Sequence, residues 1–490
     1  GVAALELTYR CNHKCLFCSC PWEADEKYLK EVFANSFDFM AKRLQMPCGR
    51  NVLVVTFDGL ANTAVVQEAV IMPLMGLTFG SREIEPKNMS EVGEKLVYGV
   101  ETKVKKTMEE VITSCLSADT AVFIDGMDEA LVIQTRGWAR RGVPKPESDI
   151  TIRGSKEAFA ETMLVNVSLL RRRIKDPALK TERFKIGSES ETDLCLVYLE
   201  GKADPKVLKI LRERISALNI RYILDTGQLE QLICDKKSFL FSTLGRSEKP
   251  DITASKILNG KVALILDGTP FVLTAPYFFM EGFSSADDYY NKKTYSNLIR
   301  ILRFASYFIS VLLAAFYVAL MRFHMDIIPT ELLKTFLYAE KNVPFGIAGE
   351  MFLVLLLYEI LREAVLRLPS QISSTVGIIG GIALGDSALS IGLLSAPAVV
   401  ILSITYICSA ATNTQVESSV ILRLLFIIAA SLFGLYGILA GLFLLTVYLC
   451  GLTSCSLPYL LPAAPIRKQI IEDGIVRGNT EILLKKEEIL

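Results

Sequence analysis

Near Tyr295 the sequence changes solvent. About three hundred residues of mixed charge give way to a block, roughly 304–465, in which the windows 304–321, 387–416 and 424–466 carry no charge. A membrane-spanning helix needs about 18 or more apolar residues, and a soluble core helix rarely runs so far without a polar face. The expected architecture is therefore an α/β soluble part followed by a polytopic helical membrane domain.

Composition narrows the function classes. Acidic and basic residues balance at 53 each, which lacks the electrostatic footprint of a nucleic-acid binder. Residues 1–30 show no basic start followed by an apolar stretch, so the polar half is expected to stay cytoplasmic. Lys292, Lys293, Arg300 and Arg303 precede the first apolar window, in keeping with basic cytoplasmic flanks. With two histidines, His13 and His324, a histidine-based triad or zinc site has almost no material, and no phosphate-binding glycine motif is present. The expectation is a non-enzyme without a cofactor.

The soluble half repeats itself. Segments 51–58 (NVLVVTFD) and 121–125 (AVFID) read as apolar strands closed by Gly59 and Gly126, with 130–134 as a third strand at hairpin distance. Segments 193–200 (DLCLVYLE) and 261–267 (KVALILD) close at Gly201 and Gly268, each 142 residues after its counterpart, and 271–275 supplies the partner strand. A shared offset at both glycines implies two tandem α/β subdomains. Turn chemistry accounts for the Asp-Gly and Glu-Gly pairs better than ligand binding does. Segment 205–218 has the spacing of an amphipathic helix, with Pro205 at its first turn. Arg171, Arg172 and Arg173 form a basic run on a helix, expected to be solvated or paired at an interface, with anionic lipid as the other reading. The expected divisions are 1–28, a cysteine-loop segment; 29–148 and 149–292, the subdomains; 293–465, the transmembrane part; and 466–490, a charged cytoplasmic tail.

Cys11, Cys15 and Cys18 form a C-x3-C-x2-C loop after a strand-like stretch. Locally this resembles the radical S-adenosylmethionine enzymes, in which such thiolates hold an iron–sulfur cluster. The resemblance ends after about twenty residues, and a Gly-Gly-Glu segment is missing. A fused fragment or remnant is the favoured reading, with an iron–sulfur site at these cysteines as the alternative.

Charged residues inside the apolar half are the functional candidates, because charge at membrane depth normally faces a protein interior or a water-filled path. Glu350 interrupts the apolar stretch 345–358, and Glu359, Arg362, Glu363 and Arg367 follow at helical spacing. Glu359 and Glu363 share a face, and Arg362 can pair with Glu359. A pore-side position and an amphipathic interfacial helix closed by Pro369 stand as equal readings. Asp386 is the next candidate. Gly377, Gly380, Gly381 and Gly385 around it suit close helix packing. Window 424–466 is too long for one simple span, so a re-entrant piece is possible.

From 31–39 (EVFANSFDF) onward the chain resembles the A subunit of the GerA-type spore germinant receptors. The resemblance runs through 56–59 (TFDG), 124–126 (IDG), 135–138 (TRGW), 166–177 (NVSLLRRRIKDP), 223–227 (ILDTG) and 246–251 (RSEKPD). It continues with 267–271 (DGTPF), 287–290 (DDYY), 328–333 (IPTELL), 361–364 (LREA), 376–381 (VGIIGG) and 458–460 (PYL). The related stage V sporulation protein AF shares this layout and remains the alternative. The sequence departs from the pattern after Ala411, where 412–415 (TNTQ) stands in place of a proline-containing turn. The resemblance implies a multi-pass protein of the inner spore membrane with the N-terminal domain cytoplasmic. It also implies a transporter-like B subunit and a lipoprotein C subunit as partners, a homo-oligomer, and a cation conduit opened by germinant.

Overall fold

The computed structural model describes residues 22–76, 88–95, 97, 99–137, 146, 151, 154–235, 238–412, 415–461, 463–464 and 477. The cysteine loop, and the tail apart from Arg477, lie outside them. The chain divides into two compact units. The first holds residues up to Cys234 and Leu244–Pro276; the second holds Asp235–Thr243 and Tyr277–Lys486.

The first unit is one design used twice. Helix α1 (Trp22–Val32) precedes β1 (Phe39–Gln45) and β2 (Asn51–Phe57). Helices α2 (Thr63–Leu74) and α3 (Met89–Lys95), strand β3 (Thr102–Lys105), helix α4 (Met108–Cys115) and strands β4 (Thr120–Ile124) and β5 (Ala130–Ile133) follow. In the second copy, α5 (Met163–Arg173) precedes β6 (Leu179–Ile186) and β7 (Thr192–Leu199). Helices α6 (Pro205–Ser216) and α7 (Thr226–Ile233), β8 (Gly245–Ser247), α8 (Pro250–Leu258), β9 (Val262–Leu266) and β10 (Val272–Ala275) complete it. Strands β4 and β9, and β5 and β10, recur at the 142-residue offset. Both sheets have the same strand order, β1-β2-β4-β5-β3 and β6-β7-β9-β10-β8, and every pairing is antiparallel. Helix α1 runs across the boundary expected at residue 28, and its Leu29 is part of the first core.

The central strands are apolar on both faces because helices cover both. Leu53, Val55 and Phe57 of β2 pack with Leu29, Val111 and Cys115, whereas Val52 and Val54 pack with Val70, Leu74 and Val92. Such burial on both sides erases the alternation of a half-exposed strand. The four repeat-marking glycines all have left-handed backbone, with φ of +76° at Gly59, +79° at Gly126, +81° at Gly201 and +91° at Gly268. A side chain would be strained there, so the turns supply the reason for glycine. Helix starts are capped locally: Asp204 accepts the Lys206 N–H at 2.8 Å and Asp225 the Gly227 N–H at 2.7 Å.

A buried ion pair joins the two copies. Arg171 of α5 donates its Nε and Nη2 to the Asp38 carboxylate, with Nη2 at 2.7 Å, while Thr181 of β6 donates to the same carboxylate at 2.6 Å. Both charged side chains are almost wholly buried, and Arg171 also stacks on Phe57 at 4.7 Å. Backbone follows the same seam, with Thr181 N–H donating to Asn35 at 2.9 Å and Phe37 N–H to Thr181 at 3.1 Å. The basic run is thus paired, as one of its expected readings had it: Arg171 is buried and holds the seam, while Arg172 and Arg173, partly exposed, pair with Glu157.

Breaking such a pair leaves a charge without a partner. Asp38→Ala should destabilise the chain by about 3–5 kcal/mol, and adding Arg171→Met should restore a large part of that. Thermal or urea unfolding of the two variants measures both effects.

Candidate functional site

The second unit begins with a clasp. A short helix, Asp287–Tyr290, leads into α9 (Lys293–Phe323), and the Asp288 carboxylate accepts Arg300 Nε at 3.0 Å and Arg303 Nη2 at 2.7 Å. Ser285 N–H adds a third donor at 3.0 Å. Burial opposes the charge on Asp288, but these donors prevail and hold its carboxyl below the usual range. Arg477 donates its guanidinium to the carbonyls of Asp288, Tyr289 and Asn291, so one residue of the tail is tied to the start of α9. Of the four flanking basic residues, Arg300 and Arg303 are thus committed to an internal ion pair.

Helices α10 (Thr330–Glu340), α11 (Ile347–Arg367), α12 (Ser370–Ser390), α13 (Ala396–Ala410) and α14 (Val416–Gly451) follow. Among the described residues two helices, α9 and α14, are long and apolar enough to cross a membrane by length and composition alone, with mean hydropathies of 2.1 and 2.2 over their best windows. Window 387–416 breaks at Ser395, where a new helix starts. Helix α14 is not straight: Gly434 has φ +59° and ψ −139°, a conformation open to glycine. A Cβ at Gly437 would lie 2.2 Å from the Ala429 carbonyl, and one at Gly441 would lie 2.7 Å from the Phe426 ring. Residues fifteen apart in a straight helix are separated by about 22 Å, so the chain folds back at Gly434 into two antiparallel arms. Each arm is about 25 Å long. The first arm runs parallel to α9, since Ser418 meets Tyr307, Arg423 meets Ser310 and Gly434 meets Phe323. The turning glycine, Gly434, and the packing glycines, Gly437 and Gly441, are ones that the sequence reading missed. Among those it proposed, added Cβ atoms at Gly381 and Gly385 meet nothing within 4 Å, and one at Gly377 reaches only Val365 at 3.8 Å. Gly380 lies within α12 beside them.

The expected polar residues separate into three environments. Glu359 sits at the centre of a network, accepting Tyr406 O–H at 3.0 Å and Arg362 at 2.8 Å, with Arg423 Nη1 at 3.6 Å. Arg423 is buried, donates Nε to the Ser310 carbonyl at 2.9 Å and lies 4.5 Å above the Tyr406 ring. It is the sole basic residue of α14, and its position one residue before a charge-free window was the signal available for it. Glu363, by contrast, is exposed and pairs with Arg367, and Asp386 is exposed. Glu350 is fully buried and accepts the Ser395 N–H at the start of α13.

One further element was invisible in the sequence. Residues 235–243, between α7 and β8, belong to the second unit. Asp235 accepts the Cys455 N–H at 3.0 Å, the Thr243 carbonyl accepts Ser454 O–H at 2.7 Å, and the Phe239 ring lies tilted against that of Tyr448 with centroids 4.9 Å apart. Phe241 joins Phe279, Phe283, Tyr307 and Tyr459 in one aromatic cluster.

With this geometry in hand, the comparisons with known proteins are informative. Residues 27–489 match the family model of the Bacillus/Clostridium GerA spore germination proteins. The chain belongs to that family. It is 36% identical over 430 residues to "Spore germination protein KA" of Bacillus subtilis (strain 168), covering 87% of this chain and 78% of that protein. It is 26% identical over 458 residues to "Stage V sporulation protein AF" of the same organism, covering 92% of each. It also resembles the crystal structure of the N-terminal domain of the A subunit of the Bacillus megaterium spore germinant receptor GerK3, at 27% identity and a TM-score of 0.41. That match spans 52% of this chain and 95% of the solved one. Spore germination is thus the setting of this GerA-family chain.

Two outcomes test the charge network. Because the Asp288 carboxyl titrates below its unfolded value of about 3.9, the stability it contributes is complete above that pH and is lost as the pH falls below it. Asp288→Asn should flatten that acid limb of the melting-temperature profile. For Glu359→Gln and Arg423→Met, a double-mutant cycle should give a coupling of about 1–3 kcal/mol, read by thermal unfolding.

Proposed function

We propose that this chain is the A subunit of a nutrient germinant receptor, seated in the inner spore membrane and assembling with copies of itself into a cation conduit that opens on germinant. The observation that carries the reading is the 36% identity to a spore germination protein across most of both chains, against 26% for the stage V sporulation protein AF. A transporter-like B subunit and a lipoprotein C subunit are its proposed partners, and the first unit is placed on the cytoplasmic side.

The helical unit supports this reading physically. Apolar side chains such as Ile360, Leu366, Ile378, Ile382, Leu439 and Phe443 are largely exposed, a surface suited to lipid or to neighbouring copies. Gly381 and Gly385, open in a single chain, are available for close approach by another copy. Glu363, exposed and paired with Arg367, and Asp386, the one charged residue of α12, are the better pore-side candidates. Glu359, Arg362 and Arg423 form the internal brace behind them.

Reconstituted with its B and C partners in liposomes, the chain should release potassium when germinant is added. Release should fall when Glu363 and Asp386 are both neutralised. An intact complex that binds germinant yet releases no potassium would remove the conduit reading.

A further inference from the structure

The seam between the two subdomains is head-to-tail. Asn35, Ser36 and Phe37, just before β1, lie along the outer edge of β6 in a short parallel pairing centred on Ser36 and Thr181. Thr181 N–H donates to the Asn35 carbonyl at 2.9 Å and Phe37 N–H to the Thr181 carbonyl at 3.1 Å. A contact of this kind uses different surfaces on its two sides. It therefore leaves one unused edge on the first subdomain, along β1, and one unused segment on the second, just before β6.

Both unused surfaces are open. Phe39 and Leu179 stand opposite Phe57 and Leu199, so β1 and β6 correspond strand for strand, with Met40 in the place of Lys180 and Ala41 in that of Thr181. Under the seam Lys180 is 3% exposed and Thr181 is fully buried, whereas Met40 is 47% exposed and Ala41 only partly buried. The register points the Ala41 N–H and carbonyl outward, as at Thr181, because the bonded pairs of this hairpin include Met46 with Arg50 and Asp58 with Asp38. On the other surface Lys175 is exposed, and Asp176, Pro177 and Ala178 are partly so. Charge matches as well. Leu29 and Phe33 are buried as Leu170 and Ile174 are, which puts Lys30 in the place of Arg171, at the surface where it pairs with Glu26. Asp176 is the carboxylate of the counterpart segment, fixed there by accepting the Ala178 N–H at 2.8 Å.

We propose that these two surfaces meet between chains: segment 175–178 of one chain docks on the β1 edge of the next, repeating between molecules the seam that each contains. This rests on the self-assembly proposed above and names its surface. Sheet edges take extended segments through backbone hydrogen bonds, and a head-to-tail contact closes into a ring when its rotation allows. Pro177, standing where Phe37 donates, has no N–H, and an exposed Lys30–Asp176 pair replaces the buried Arg171–Asp38 one. The contact between chains is therefore the weaker of the two.

The test places the photo-crosslinker p-benzoylphenylalanine at Met40 of the full chain, in liposomes holding equal amounts of isotopically heavy and light protein. Irradiation should join chains, with mixed heavy–light junction peptides from residues 172–178. The same probe at Lys209, exposed on α6, should give no such junction. Ala41→Pro removes the outward N–H and should lower the yield about fivefold. Lys30→Glu should lower it by a similar factor, and combining it with Asp176→Lys should restore it. This charge reversal serves if Ala41→Pro does not fold. A junction elsewhere in the chain or in another protein, no junction, or a yield that ignores both substitutions would overturn the proposal. Mass photometry of the same protein in nanodiscs separates the two readings: several chains without a 172–178 junction overturn this surface alone, whereas single chains overturn self-assembly with it.

Discussion

Charge taken out of water has to be met by charge, and that requirement fixes this fold at its decisive joints. In the first unit, Asp38 and Arg171 are 133 residues apart and meet in a dry seam, so neither copy of the repeat can shed the other without exposing an unpaired ion. At the head of α9, Asp288 gathers Arg300 and Arg303. Among the apolar helices, Glu359 joins α11 to Arg423 of α14, which is bonded in turn to the backbone of α9. Apolar packing alone would let these helices slide past one another. A pair that is costly to break defines one register.

Much of the first unit was legible in the sequence because its turns need glycine. Gly59, Gly126, Gly201 and Gly268 mark strand ends at one offset, and each has the left-handed backbone that favours glycine. Strand ends read from them fall within about a residue or two of those observed. The seam was not legible: 31–39 and 166–177 stand out as motifs, yet nothing local says that Asp38 of one meets Arg171 of the other. A run of three arginines reads as one face, solvated or paired, because neighbours in sequence usually share an environment, whereas here only Arg171 is buried.

In the second unit the legible and hidden features divide differently. Hydropathy reveals where apolar helices lie but not where they bend, because a glycine that turns the chain and a glycine that packs it look alike in an apolar run. Gly434 turns, Gly437 and Gly441 pack against the returning arm, and Gly381 and Gly385 touch nothing in this chain. This fold-back is where the long apolar window 424–466 turns. Composition gave the length of the apolar material, and the left-handed backbone at one residue decided its path.

The connection between the units then bears on how a signal could pass. Among the described residues the chain goes from one unit to the other after Cys234, after Thr243 and after Pro276. Residues 235–243 end on Tyr448, Ser454 and Cys455, at the foot of the folded-back arm, and Tyr277 N–H donates to the same Ser454 hydroxyl at 2.9 Å. Thus the second and third passages share one side chain.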